Sequence, residues 1–198
     1  MSPVVCMITD RRRYAGDEAL VRRVAGAAAA GVDLVQVRER DMEAGDLSRL
    51  VSRCVAAVKG TRTRVLVNDR LDVALAAGAH GVHLRADSMQ ASRVRPVAPI
   101  GFLVGRSVHS VAEAVEVCKA GGLDYLLFGA VFTTASKPGQ TPAGVQALAE
   151  VSSAVSLPVL AVGGVSRDTV TQLARAECAG FAAIGWFATT DGDLFERG

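Results

Sequence analysis

Eight short apolar runs, each followed by a segment of different periodicity, constrain this chain more than any other feature. They are "VVCMI" (4–8), "VDLVQVR" (32–38), "RVLVN" (64–68), "GVHL" (81–84), "FLVGRS" (102–107), "DYLLFG" (124–129), "LPVLAVGG" (157–164) and "GFAAIG" (180–185). Several hold apolar residues in succession, as strands do when helices cover one face and a packed interior the other. The intervening segments read as helices. "DEALVRRVAGAAAA" opens on acids and ends before Gly31, and "EAGDLSRLVSRCVAAVK" aligns Leu47, Leu50, Val51, Cys54, Val55 and Val58 on one stripe. Ser110, with Glu113 three residues on, predicts a capped helix start, and Ser166 repeats the device before "RDTVTQLARA". "AAGVDLVQVR", "AAGAHGVHL" and "KAGGLDYLLFG" form a weak internal repeat in which a helix end passes through Gly into a strand. Eight βα units predict a (β/α)₈ TIM barrel, one compact domain over residues 1–198, with a doubly wound open sheet as the alternative. "WFATTDGDLFERG" is short for a closing helix, which leaves room for a second copy of the chain, a homo-oligomer, to cover that side.

Composition narrows the function. Half the residues are hydrophobic and 5% aromatic, so the interior is built from Ala, Val and Leu. Net charge is +2 with both signs interspersed, and no basic block interleaves with aromatic residues, which argues against nucleic acid as a partner. No apolar stretch reaches the ~18 residues of a membrane span, so no membrane partner is expected. "MSPVVCMITD" lacks the pattern of a secretory signal, and Cys6, Cys54, Cys118 and Cys178 form no Cys-x-x-Cys. Both points favour a cytoplasmic protein with reduced structural thiols. "RRR" at 11–13 reads either as a solvated turn or as a phosphate lure.

In a barrel of this kind chemistry gathers at the carboxyl ends of the strands. Those ends carry cations, small hydroxyl residues and two acids, Asp69 and Asp87, placed to hold a divalent ion. "AVGGVS" offers Gly163 and Gly164 as a phosphate cup, with the helix expected from Ser166 adding its positive end and the "IG" of Ile184 and Gly185 forming a second lip. In "QVRER", Gln36, Arg38 and Arg40 share one strand face and suit a heterocycle and an anion, or else Arg40 has left the strand for solvent. "GAVFTTASKPG" presents Thr133, Thr134, Ser136 and Lys137 to a diphosphate or carboxylate. Of the histidines, His80 precedes a strand and reads as structural, His83 as a core imidazole, and His109, past a strand end, as a possible acid or base.

Together "QVRER", "VLVNDRLDVALAAGAHGVHL", "VGRSVHSVAEA", "DYLLFGAVFTTASKPG" and "LPVLAVGGV" resemble the thiamine phosphate synthase and TenI superfamily over essentially the whole chain. The resemblance implies the same barrel, and a Mg²⁺-assisted coupling of hydroxymethylpyrimidine diphosphate to thiazole phosphate with release of pyrophosphate. It assigns Gln36, Arg38, Asn68 and Lys137 to the pyrimidine diphosphate, Asp69 to magnesium and Ser107 to the pyrimidine ring. Thr134 and Ser136 would meet the thiazole, with Gly164, Ile184 and Gly185 under its phosphate.

The chain also departs from the synthase pattern. After "GVHL" that pattern is Gly-Gln-x-Asp, whereas here "RADS" puts Arg85 at the Gly, Ser88 at the second metal ligand and Asp87 one residue early. Arg40 stands where the pattern has Lys. "RER", "GRSVHS" and Ser88 are TenI-like, yet the His that the tautomerases carry after the Gly of the sixth strand is Ala130, and the "ND" of Asn68 and Asp69 is retained. The expected activity is therefore thiamine-phosphate synthase, a transferase. The alternatives are a TenI-like thiazole tautomerase working through His109 or water, and a non-catalytic thiazole-phosphate binder.

Overall fold

In a computed structural model that describes residues 2–134, 139 and 141–188, each apolar run becomes a parallel strand. The strands are β1 (Val4–Ile8), β2 (Leu34–Val37), β3 (Arg64–Asn68), β4 (Gly81–Leu84), β5 (Leu103–Val108), β6 (Tyr125–Gly129), β7 (Val159–Val162) and β8 (Gly180–Ala183). Each pairs with the next, and β1 pairs with β8, so the sheet closes into an eight-stranded barrel. The open-sheet alternative is thereby set aside. Among the described residues the helices are α1 (Asp17–Ala29), α2 (Ala44–Ala57), α3 (Leu71–Ala76), α4 (Ala91–Val94), α5 (Val111–Ala120), α6 (Gly144–Ala154) and α7 (Gly185–Ala188). No helix among these residues is long and apolar enough to cross a membrane.

The helices form where the apolar stripes lie. In α2, Leu47, Leu50, Val51 and Cys54 are buried against the sheet, as is Val58 just past its end, while Val55 is partly covered. Fully burying a Leu or Val side chain of this kind contributes about 1.5–3 kcal/mol. Ser110 caps α5 by accepting the Glu113 N–H at 3.2 Å, and the Glu113 carboxylate takes the His109 N–H at 2.8 Å. The second expected cap differs. Residues 166–169 form a turn in which Thr169 Oγ1 accepts the Ser166 N–H at 2.9 Å, and the helix that follows, Val170–Ala176, is 3₁₀. Thr169, Val170 and Thr171 form a β-branched run, which lowers α-helix propensity there. The positive end of an α-helix at Ser166 is therefore not part of this barrel.

Strand parity divides the core in two. One set of strand residues packs outward against the helices, as Val5, Val35, Val65, Val82 and Val104 do. The alternate set fills the barrel, where Cys6, Leu34, Leu66, Tyr125 and Leu160 make an apolar floor. All four cysteines are free. Burial pushes the thiols of Cys6 and Cys54 up to about 12, which leaves them protonated and inert.

Candidate active site

Above the apolar floor, the same inward parity brings a second layer to the carboxyl ends of the strands. The register sets Ile8 beside Gln36, Asn68 beside His83, Ser107 beside Leu127, and Val162 beside Ala182. These residues line a cavity of about 620 Å³, within the range of small-molecule sites. The cavity wall gathers most residues singled out from the sequence. Gln36, Arg38, Arg40, Asn68, Ser107, His109 and Thr134 lie on it, as do Gly163, Gly164, Ile184, Gly185 and Asp87. Ser136 and Lys137 lie outside the described residues.

The β1 and β2 ends are locked together beneath this wall. Thr9, fully buried, donates its hydroxyl to the Glu39 carboxylate and accepts the Arg38 N–H at 3.0 Å. Glu39 also accepts the Arg11 N–H, at 3.0 and 3.1 Å to its two oxygens. Burial raises the Glu39 carboxyl above its ordinary value, and the bonds from Thr9 and Arg11 oppose that rise. The lock fixes where Arg38 leaves the strand. Its half-buried guanidinium forms no ion pair among the described residues, and burial together with neighbouring Arg40 lowers it from its ordinary value, although a guanidinium remains a cation. Gln36 is 2% exposed, and its Nε2 has no hydrogen-bond partner among the described residues. A buried amide donor on a cavity wall without an acceptor is the condition a ligand oxygen or ring nitrogen would relieve. The "RRR" run is a 3₁₀ turn in which Arg11 pairs with Asp41 and Arg12 and Arg13 pair with Asp10, and Arg13 reaches the cavity.

The two acids at the ends of β3 and β4 meet through Arg85. Its guanidinium is bidentate to Asp87 and stands 3.5 Å from Asp69. The Ser88 hydroxyl is bonded to Asp69, and Ser88 Oγ accepts the Arg85 N–H at 2.9 Å. Asp69 has a φ of +61°, a left-handed conformation that Asp tolerates better than most residues. Asp69 is not among the residues that line the cavity, whereas Arg85, 3.5 Å from it, is. Asp87 is exposed, and its bonds to Arg85 hold its carboxyl below the ordinary value. Asp69 and Ser88 converge as hard oxygen donors of the type Mg²⁺ takes, with substrate phosphates and water filling the remaining positions of such a site. Arg85 stands 3.5 Å from the same Asp69 carboxylate, so a cation held there would compete with that guanidinium. Asp87 is turned to the Arg85 guanidinium instead, and no group of three His, Cys, Asp or Glu side chains that could hold a metal occurs among the described residues.

On the far wall, Gly163 and Gly164 have φ of +94° and +67°. A Cβ at Gly163 would press on Ala130, and one at Gly164 on the Thr133 carbonyl and Phe132, so only glycines let the β7 turn sit this close to the β6 loop. This wall of the cavity, where a phosphate cup is expected, is therefore built from turn backbone at the ends of β7 and β8. His109 donates Nδ1–H to the Gly129 carbonyl at 2.8 Å, and Nε2 has no hydrogen-bond partner among the described residues. His80 stands at the opposite, amino end, where its Nδ1 accepts the Val65 N–H at 2.9 Å in the structural role expected of it.

Two contributors escaped the sequence reading. Arg106 is 8% exposed and grips the carbonyls of Met89, Ala86 and Ser88 at 2.9, 2.6 and 3.1 Å, so it holds the loop that carries Asp87 and Ser88. Its outward parity beside inward Ser107 was the available signal. The second is Tyr125, whose hydroxyl meets His83 Nδ1 at 3.0 Å while His83 Nε2 meets Ser107 Oγ at 2.9 Å.

The family model described as thiamine monophosphate synthase matches residues 5–187. The chain belongs to this family. It is 41% identical over 159 residues to thiamine-phosphate synthase of Methanoculleus marisnigri, covering 80% of this chain and 75% of that one. It is 38% identical to a putative thiamine-phosphate synthase of Geobacter sulfurreducens, covering 90% and 83%. Among solved structures, thiamine phosphate pyrophosphorylase from Pyrococcus furiosus superposes with a TM-score of 0.83 at 29% identity, over 95% of this chain and 89% of that chain. The thiamine monophosphate synthase family thus shares this barrel along nearly its whole length.

Proposed function

We propose that this member of the thiamine monophosphate synthase family is a thiamine-phosphate synthase, joining hydroxymethylpyrimidine diphosphate to thiazole phosphate and releasing pyrophosphate. The observation that carries the reading is one cavity with two complementary walls. Among the described residues Arg38 forms no ion pair and Gln36 Nε2 has no hydrogen-bond partner, and both line the same cavity as the glycine turn of Gly163 and Gly164. The relatives named for this activity give independent support.

In this reading Gln36 and Asn68 orient the pyrimidine, and Ser107 meets its ring. Arg38, Arg40 and Lys137 offset the charge that builds on the departing pyrophosphate. Asp69, with Ser88 beside it, would hold Mg²⁺, which when bound supplies further charge neutralisation on the leaving group. Thr134 and Ser136 position the thiazole, and the backbone at Gly163, Gly164, Ile184 and Gly185 takes its phosphate. Apolar Leu127 and Val162 keep the space between the rings dry, so the thiazole nitrogen reaches the pyrimidine cation in a fixed orientation. Incubation with both substrates and Mg²⁺ is expected to release pyrophosphate and form thiamine phosphate. No pyrophosphate at high enzyme concentration overturns the proposal.

His109 Nε2, which has no hydrogen-bond partner among the described residues, favours one second reading, thiazole tautomerisation with that nitrogen as the base. Ala130 offers only a methyl group where the tautomerases place their His. Isomerisation of thiazole phosphate carboxylate that disappears in His109→Ala would select this reading over the synthase.

A further inference from the structure

Three residues at two levels of the barrel form a directed chain of hydrogen bonds that the proposed coupling does not by itself require. His83, Gly105 and Tyr125 stand side by side on β4, β5 and β6, since the register pairs His83 with Gly105 and Gly105 with Tyr125. Gly105 makes the contact possible. A Cβ there would fall on the Tyr125 ring, so its absence lets the ring cross β5 and reach the imidazole on β4. His83 then bridges Tyr125 OH, 3.0 Å from Nδ1, to Ser107 Oγ, 2.9 Å from Nε2.

The direction of the chain follows from counting protons. Tyr125 is 5% exposed, and its hydroxyl has no partner but His83 among the described residues, so its proton either goes to His83 Nδ1 or stays unpaired. His83 is 2% exposed and its ring nitrogens meet only the hydroxyls of Tyr125 and Ser107 among the described residues, with no carboxylate to offset a charge, so the imidazole is neutral. A neutral ring that accepts at Nδ1 carries its single proton on Nε2 and must donate it to Ser107 Oγ. With that oxygen already accepting, the serine O–H is turned toward the cavity.

We infer that Tyr125 and His83 are positioning residues that fix Ser107 as a hydrogen-bond donor, so the cavity selects a ligand ring with an unprotonated, lone-pair-bearing atom at this point. The inference rests on the synthase reading for the identity of that ring, a pyrimidine, whose unprotonated ring nitrogens are acceptors. It excludes a role for Ser107 as a proton-taking base activated by His83.

The chain's histidines number three, so ¹⁵N-histidine labelling with His80→Gln and His109→Gln variants identifies the His83 signals. Long-range ¹H–¹⁵N correlation on the ligand-free protein is expected to show Nε2 protonated and Nδ1 bare. The opposite tautomer, or an imidazolium at pH 7, overturns the inference. Titration with pyrimidine diphosphate gives the second arm. Tyr125→Phe keeps the ring and is expected to weaken binding about tenfold, the scale of one buried hydrogen bond. It is expected to do nothing further in a Ser107→Ala background, because Tyr125 acts only through that hydroxyl. Additive losses overturn the inference, since a merely structural tyrosine would weaken both backgrounds alike. Failure of the wild type to bind pyrimidine diphosphate would overturn the functional reading and the pyrimidine assignment, whereas the tautomer decides the direction of the chain separately.

Discussion

Between β2 and β5 the barrel mouth presents Gln36, Arg38, Asn68, His83 and Ser107, whereas between β6 and β1 the equivalent layer is Leu127, Val162, Ala182, Ile184 and Ile8. One arc offers polar side chains and formal charge. The other offers shape and backbone that glycines bring close. The asymmetry suits two ligands of different character, one losing a highly charged group and one supplying a nucleophile from a dry pocket. It also means that damage to either arc should show in the kinetics of one substrate and spare the other.

The largest effect is expected on the polar arc. Arg38→Ala should lower kcat/KM for the pyrimidine diphosphate about 10²–10³-fold in steady-state assays, and Arg38→Lys should restore only part of it, because an ammonium lacks the planar fork. An equal loss against both substrates would break the division into arcs. On the opposite wall, Gly164→Ala forces a Cβ against the Thr133 carbonyl at a φ of +67°. Backbone strain of about 1–3 kcal/mol should raise KM for thiazole phosphate roughly ten- to a hundredfold while KM for the pyrimidine diphosphate holds.

A third test uses acid. The folded protein keeps His83 neutral down to about 3, whereas an exposed imidazole takes a proton near 6.5, so between those values the unfolded chain binds the extra proton. Stability present above pH 6.5 is therefore lost progressively as pH falls toward 3, which thermal melts should record as a declining Tm. His83→Gln should flatten that decline, with no counterpart expected for changes on the apolar arc. The smallest effects concern the rim. Arg85→Gly releases both carboxylates and should tighten Mg²⁺ roughly two- to fivefold by calorimetry, the scale of an exposed ion pair, whereas Asp87→Ala should change it less than about twofold. A stronger dependence on Asp87 than on Asp69 would reverse the assignment of the metal.

The barrel was legible because its strands are short Val- and Leu-rich runs that no helix pattern imitates, and β1, β3 and β4 fall where the runs do. The stretch after β7 was misread because Ser166 looks like a cap, while the β-branched residues that follow favour a tighter turn. Most of the cavity wall could be read off the strand ends, since in this fold those ends converge. What could not be read were partners set by register. Nothing in the spacing of His83 and Tyr125 shows that a glycine on the intervening strand lets them touch. Likewise "RADS" shows two charges two residues apart, but not that Arg85 leans across to Asp69 on the preceding loop.

Arg106 grips its neighbouring loop by main-chain oxygens alone. Such a grasp is indifferent to what residues 86 to 89 carry as side chains, so the path of the loop and its chemistry can vary separately. An acid can be traded for a hydroxyl while the segment keeps its course over the barrel. The rim is in that sense an exchangeable fitting on a fixed mount, and new ion preferences can be tried there without refolding the rest.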